Sequence, residues 1–376
     1  VSASAPVIAI IGGGQLGRML ALAGIPLGYR FRFLDPAADC PAAAVGEVVV
    51  GAFDDEAAIE RLVRDSIAVT YEFENVPVKS ADVAAAHGRL APSPRSLAIA
   101  QDRIAEKDFF RACGVPVQPY AAVSGDADLA KALERVGVPG VLKTRQLGYD
   151  GKGQCVIRNE SALAPAFASL GRVPCIYEAF VPFEREVSVV ATRAASGAFV
   201  AHPVCRNEHV GGILRLTVAA DPDATVELAR DAERHVRTIA ERLGHVGTLA
   251  VEFFVVAGSL VANEMAPRVH NSGHWTIEGA VTSQFVNHIR AVAGLPLGDP
   301  SVRGAAAMVN LIGEEPPLED LLRIGGAHVH RYGKSPRAGR KLGHVTVVGR
   351  EFDDLLPSLE TLRALTGASA GAARRH

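Results

Sequence analysis

The chain has 376 residues, a formal net charge of -2 and an ordinary globular composition, enough for two or three domains with cores of their own. That balance argues against a protein built mainly to bind nucleic acid, whose footprint is strongly basic, and no apolar run approaches membrane-spanning length. The five cysteines, Cys40, Cys113, Cys155, Cys175 and Cys205, are odd in number, widely spaced and without a C-x-x-C pair, which points to a reducing cytoplasm and away from structural zinc.

Residues 7–11 read as an apolar strand, 12–14 as a glycine turn, 15–23 as a helix and 30–34 as a strand ending at Asp35, a βαβ opening. The alternation continues through 45–50, 56–64 and 67–71, so residues 1 to about 95 read as one parallel-sheet α/β domain, closed by the proline-marked LAPSPRS. One helix is expected over 96–113, carrying Gln101, Asp102, Arg103 and Lys107. Short strands and helices over 127–136 and 161–170 follow, then strands over 175–180 and 185–192 and a long amphipathic helix over 225–243. After Leu295 the chain turns to short strands, including 327–332 and 344–348, and its Ala/Gly-rich end after 366 reads as disordered.

Residues 248–271, TLAVEFFVVAGSLVANEMAPRVHN, form a hairpin signal around a three-residue turn, Ala257-Gly258-Ser259. Pairing about Gly258 sets Val256 against Leu260, Phe254 against Ala262 and Glu252 against Glu264. Like charges opposed across strands destabilise the pair. Either a cation sits between them, one carboxyl carries a proton, or the register slips and separates them. Mg²⁺ suits the first case, because it binds through one or two carboxylates and substrate phosphates.

Gly12, Gly14 and Gly17 match G-x-G-x-x-G after a strand, with Asp35 ending the next strand. The pattern fits a dinucleotide site, another ligand site, or glycines that only allow close helix–strand packing. In VPGVLKTRQLGYDGKGQCVI, Lys143 ends a strand and Gly148, Gly151 and Gly153 surround Asp150 and Lys152. Asp150-Gly151 is a hairpin turn, and a glycine loop with two lysines can also cover phosphates. Downstream, Glu178 and Glu186 in EAFVPFERE by themselves read as surface glutamates. Lysine is scarce, with only seven in the chain, so each is a slightly better candidate for a specific phosphate contact.

Lys143, GYDGKGQ, EAFV with Glu186, and the Glu252/Glu264 pair occur in the order of the ATP-grasp superfamily. With GGGQLGRM, YEFENVP, QDR with EK, NEHVGGILR, NEMAPRVHNSGHWT and YGKSPRAGRKLGHVTVVG, nearly the whole chain resembles the N5-carboxyaminoimidazole ribonucleotide synthetases, carboxylating ligases of purine biosynthesis. The resemblance implies an α/β fold in three parts: a Rossmann-like N-terminal domain over 1–98, an ATP-grasp domain over 99–295 with its lid around 115–185, and a small C-terminal subdomain over 296–376.

By the same resemblance, ATP phosphates would be held by Arg103, Lys143 and the loop Gly148, Tyr149, Asp150, Gly151, Lys152, Gly153 and Gln154. Glu178, Ala179, Phe180 and Val181 would present backbone to adenine, Glu186 would take the ribose, His209 would lie near the nucleotide, and Asn263 would complete the site beside Glu264. Glu252 and Glu264 would ligate Mg²⁺, or Mn²⁺ in its place. Many ATP-grasp enzymes have Asn two residues after the second glutamate, where Ala266 stands here. Arg268, His270 and Asn271 would bind bicarbonate, and Asp150 and Lys152, with Tyr149, would face the aminoimidazole amine. Gln15, Leu16, Glu74, Lys334, Arg340 and Lys341 would bind the rest of 5-aminoimidazole ribonucleotide. The implied protein is a cytoplasmic homodimer with no nucleic-acid or membrane partner. The rival readings are another ATP-grasp ligase activating formate or a different carboxylate, an NAD oxidoreductase using Gly12 to Gly17, and a catalytically silent nucleotide-binding module.

Overall fold

The computed structural model describes residues 4–148 and 153–367. Four parallel strands, β1 (Val7–Ile11), β2 (Arg30–Asp35), β3 (Glu47–Val50) and β4 (Ser66–Tyr71), lie in the order β3-β2-β1-β4. Strand β1, VIAII, is apolar throughout and buried over four of its five residues, as a parallel strand covered on both faces requires. A second, antiparallel sheet holds β5 (Tyr120–Val123), β6 (Gly140–Thr144), β7 (Gln154–Ile157) and β8 (Cys175–Ala179) in the order β5-β8-β6-β7. Leu163 and Phe167 from the helix Leu163–Ser169 pack beneath it on Leu142 and Tyr177.

The third sheet has nine strands: β9 (Arg185–Arg193), β10 (Phe199–Ala201), β11 (Cys205–Val210), β12 (Ile213–Val218), β13 (Gly247–Val256), β14 (Ser259–Ala266), β15 (Ala305–Ile312), β16 (Ala327–Arg331) and β17 (Lys341–Gly349). Their order is β14-β13-β9-β11-β12-β15-β17-β16, with β10 on β9. The C-terminal strands are thus hydrogen-bonded into the central sheet through β12 and β15. The amphipathic helix Val226–Leu243 buries Leu228, Ala232, Val236 and Ile239 on Val189, Val251 and Phe253 of this sheet.

Two local expectations change. The single helix over 96–113 is two, Pro94–Gln101 and Arg103–Ala112, broken at Asp102. Asp102 is extended (φ -121, ψ 109), and its carboxylate accepts from the amides of Ile104 and Ala105, an N-cap that restarts the helix with Arg103 in its first position. The hairpin turn has two residues, Ala257 and Gly258, both with positive φ (46° and 73°), as a two-residue turn matched to strand twist demands. The register then pairs Val255 with Leu260 and Phe253 with Ala262, and a bulge at Asn263 shifts it by one, so that Glu252 still faces Glu264. The last helix, Leu356–Thr366, ends where disorder was expected, and residues 368–376 lie outside the described residues.

The helix Gln284–Val292 joins the N-terminal domain to the central sheet, burying Phe285 and Ile289 against Leu16, Met19 and Leu20. Its His288 is fully buried, receives the Thr248 amide at Nδ1 (3.0 Å) and so carries its proton on Nε2, which faces Thr70 Oγ1 at 2.9 Å. Burial pushes His288 down to about 3 and the nearby His245 to about 4. Below about pH 6.5 the unfolded chain takes up protons that these folded sites refuse. Stability present at neutral pH is therefore lost as pH falls toward 4, by about 1.4 kcal/mol per pH unit for each such histidine. Urea midpoints measured at a series of pH values between about 7.5 and 4.5 should fall less steeply in His288→Gln than in the parent; equal slopes would assign the acid lability to other groups.

Candidate active site

Glu252 and Glu264 meet where β13 and β14 face the lid sheet, and the side chain of Glu252 is 12% exposed, that of Glu264 41%. Their repulsion is resolved in two ways at once. Burial, together with Glu264 and Glu186 and against the pull of His209, raises Glu252 to about 7, so it shares a proton near neutrality. Burial would raise Glu264 too, but Arg103 and Lys143 outweigh it and hold Glu264 below the usual carboxylate range. Arg103 Nη1 donates to Glu264 at 3.0 Å and Nη2 to the Gly148 carbonyl at 3.3 Å. His209 pairs with Glu186; although burial opposes its charge, Glu186, Glu252 and Glu264 hold it up at about 9.

The acid pair lines a cleft of about 410 Å³. The same walls carry Gln15, Leu16, Glu74, Arg103, Gly148, Arg268, His270, Asn271 and Lys341, which brings most of the expected core-side residues into one hollow. A hollow of about 500 Å³ lined by Arg111, Gln118, Tyr120 and Arg135 holds none of them. Arg268 is already committed: its Nε donates to Glu74 at 2.5 Å, and Nη1 to the Val269 carbonyl at 2.9 Å. Asn271 is committed as well, in a reciprocal amide pair with Asn310 (3.0 and 2.7 Å). The pair fixes the orientation of the amide and uses one of its two N–H donors and one of its two carbonyl lone pairs. Sequence reasoning named Gln101 and Lys107 without finding their roles, and missed Arg145. Gln101 donates to the carbonyls of Glu74 (2.7 Å) and Val76 (2.5 Å), Arg145 Nε grips Asp102 (2.6 and 2.7 Å), and buried Lys107 donates to the carbonyls of Ala262 (3.0 Å) and Asn263 (2.7 Å) at the bulge.

On the lid side, Lys143 at the end of β6 pairs with Glu178 of β8 at 2.6 Å, and Lys107 reaches the same carboxylate at 3.4 Å. Burial alone would raise Glu178; the two lysines hold it at about 2. Of the backbone expected at adenine, the Ala179 and Phe180 amides are bonded to the carbonyls of Pro119 (2.8 Å) and Pro139 (3.0 Å), and the Val181 carbonyl accepts from the Phe183 amide (3.0 Å). Gly153, in the left-handed region at φ +70°, and Gln154 lie across the ladder from Thr144 and Lys143. Tyr149, Asp150, Gly151 and Lys152 lie outside the described residues.

The glycine loop is occupied from within. Glu72, at the end of β4, accepts from the amides of Gly14 (2.5 Å) and Gly17 (2.6 Å), the donors a dinucleotide pyrophosphate would use at the N-terminus of the helix Gln15–Gly24. Asp35 accepts from Gly13 at 3.0 Å. A carboxylate in that place removes the NAD reading. Burial lowers the Lys334 pKa, with Glu72 opposing the shift and Arg340 and Lys341 adding to it, so the three basic residues share one turn near the loop. Lys341 lines the cleft; Arg340 is half-buried and donates to the Ser335 carbonyl at 3.2 Å.

Sequence models of the ribonucleotide synthetase preATP-grasp domain, the ATP-grasp domain and the phosphoribosylaminoimidazole carboxylase C-terminal domain match residues 6–101, 108–285 and 306–357. The N5-carboxyaminoimidazole ribonucleotide synthase of Pseudomonas aeruginosa is 50% identical over 340 residues, 90% of this chain and 94% of that one. The chain belongs to the N5-carboxyaminoimidazole ribonucleotide synthase family. Within that family, the crystal structure of the Thermus thermophilus synthetase superposes with a TM-score of 0.92 at 51% identity, covering 96% of this chain and 98% of that one. The Aspergillus clavatus synthase, solved with ADP and 5-aminoimidazole ribonucleotide, gives 0.89 at 27% identity over 96% and 99% of the two chains.

A divalent cation fits the acid pair only in part. Among the described residues, no three His, Cys, Asp or Glu side chains gather into a metal cage. Two opposed carboxylates remain, and beside Glu264 the buried Asn263 Oδ1 has no hydrogen-bond partner among the described residues. That incomplete set of hard oxygens suits Mg²⁺, which is completed by substrate phosphates and water.

The internal cap on the glycine loop yields a stability test. Glu72→Ala would leave two amides without their charged acceptor and should lower stability by roughly 2 kcal/mol, with Glu72→Gln intermediate. Urea unfolding checks this, and a Glu72→Ala midpoint equal to the parent's would refute the capping role.

Proposed function

We propose that this ligase carboxylates the exocyclic amine of 5-aminoimidazole ribonucleotide with bicarbonate, using ATP and Mg²⁺, in purine biosynthesis. The observation that carries the reading is the opposed Glu252/Glu264 pair sharing one cleft with Gln15, Glu74, Arg268 and Lys341, so that nucleotide and acceptor meet across it. A bicarbonate oxygen attacks the γ-phosphorus, the bond to the β,γ-bridging oxygen breaks, and ADP leaves. The carboxyphosphate carbon is taken by the amine nitrogen, directly or as carbon dioxide, while phosphate departs with the C–O electron pair and accepts the amine proton.

Phosphoryl transfer asks chiefly for positioning and charge neutralisation. Arg103 and Lys143 supply fixed positive charge, each already oriented by a carboxylate partner. Glu252 and Glu264 would hold Mg²⁺, whose charge supplies neutralisation at the phosphates and takes over the role of the proton that Glu252 otherwise shares. Glu74 holds Arg268 at the cleft wall, so an incoming anion has to share that guanidinium with it. Carboxyphosphate hydrolyses readily, which gives a closing lid its purpose.

Two measurements test this reading. In carbonate-free buffer with 5-aminoimidazole ribonucleotide present, ADP release should depend on added bicarbonate, with label passing into an acid-labile carbamate. Arg268→Ala should lower that turnover by about 2–4 kcal/mol in transition-state terms. Turnover indifferent to bicarbonate, or supported equally by formate, would move the chain to a different ligation. Separately, Glu264→Gln should stay folded and lose ADP formation by roughly 100-fold, equivalent to about 3 kcal/mol. Parent-like ADP release at limiting Mg²⁺ would remove Glu264 from the metal.

A further inference from the structure

Behind His270 lies a row of buried polar side chains that the reaction above does not use: Thr217 on β12, Asn207 on β11, Ser188 on β9, and Ser272, none more than 4% exposed. Their hydrogen bonds run in one direction. Thr217 Oγ1 donates to Asn207 Oδ1 (3.0 Å), and the amide's Nδ2, a donor only, gives to Ser188 Oγ (2.9 Å). The single Ser188 proton then goes to Ser272 Oγ (2.8 Å), and that of Ser272 to His270 Nδ1 (2.9 Å). An independent constraint agrees: the Ser272 backbone amide, which can only donate, also points at Nδ1 (3.3 Å). Nδ1 therefore carries a lone pair and Nε2 the proton, and Nε2 stands 3.6 Å from Glu252 at the cleft. The His270 backbone is clamped too, with Gln284 Oε1 accepting its amide (2.9 Å) and Gln284 Nε2 donating to its carbonyl (2.7 Å).

We propose that Thr217, Asn207, Ser188 and Ser272 are positioning residues that fix His270 as an Nε2–H donor aimed into the cleft, where it hydrogen-bonds an oxyanion of the activated bicarbonate and does not serve as the base. The assignment of the oxyanion rests on the carboxylation reading; the tautomer does not. A neutral donor beside Arg268 adds direction without adding charge, and because both ring and backbone are held, it needs no reorganisation when charge develops. Partners at this remove from a reacting group commonly change activity by about 10- to 100-fold when lost.

Asn207→Asp is the decisive variant. It puts an acceptor where the amide donated, with the same shape, so the Ser188 and Ser272 hydroxyls turn round and draw the ring proton to Nδ1. Long-range ¹H–¹⁵N spectra of the histidine rings, with His270 assigned by its disappearance in His270→Gln, should show a protonated Nε2 in the parent and a shift toward protonated Nδ1 in Asn207→Asp. Turnover should fall about tenfold or more, with the ATP KM within about twofold. If Asn207→Asp does not fold, Ser272→Ala removes the hydroxyl hold on Nδ1 and leaves only the longer backbone amide contact, and should add a minor Nδ1-protonated population with a fall in kcat. Thr217→Ser, which keeps the hydroxyl, should match the parent in ring signals and kcat, while Thr217→Val should not. A parent ring protonated at Nδ1, or Ser272→Ala with unchanged ring signals and kcat, would overturn the relay. The expected ring signals in an enzyme whose turnover ignores bicarbonate would instead overturn the oxyanion assignment.

Discussion

Glu252 and Glu264 repel one another across β13 and β14, and a strand pair keeps such a contact only where its surroundings supply positive charge or a proton. Much of the molecule's irregular structure serves that requirement. The helix break at Asp102 delivers Arg103 to Glu264, and Arg145 grips Asp102 from the lid. The bulge at Asn263 brings the second glutamate opposite the first, and Lys107, a charge with almost no access to water, stands on the carbonyls of that bulge and on Glu178. Removing a fully buried lysine from water costs several kcal/mol, which is accepted here because its carboxylate and carbonyl partners sit at the seam between lid and core.

The acid pair was legible in the sequence because alternation on either side of a glycine turn is a local signal. The path to it was not: a three-residue turn without a bulge and a two-residue turn with one end in the same pairing, and composition does not distinguish them. The break at Asp102 is hidden for a related reason, since aspartate is tolerated inside a helix and favoured at its start. Arg268, His270 and Asn271 were found as residues, but their partners were not, because Glu74 lies 194 positions from Arg268 and Asn310 lies 39 from Asn271. No periodicity reports on such distances. The glycine loop shows the converse. Its pattern is clear, yet its meaning is decided by Glu72, more than fifty residues away, which fills the anion site that the pattern advertises.

The strands of the small C-terminal subdomain continue the central sheet, a connection that the sequence does not announce. That joins the basic turn at Lys341, at the head of β17, to the acid pair on β13 and β14 by an unbroken ladder of backbone hydrogen bonds through β15, β12, β11 and β9. The lid sheet is not part of that ladder, and among the expected ligands it carries Lys143, Gly153, Gln154 and the Glu178 to Val181 strand exit.

For an acceptor held by its phosphate at the basic turn, such an arrangement works as a ruler. If a closing lid carries the nucleotide, the span from Lys341 to the acid pair is still set by strand spacing. Selection then falls on the length of the acceptor. A nucleoside lacking its phosphate has nothing to fix one end, and an analogue with a longer tether carries its amine past the point where the carboxyl group is delivered, however tightly the lid closes on ATP.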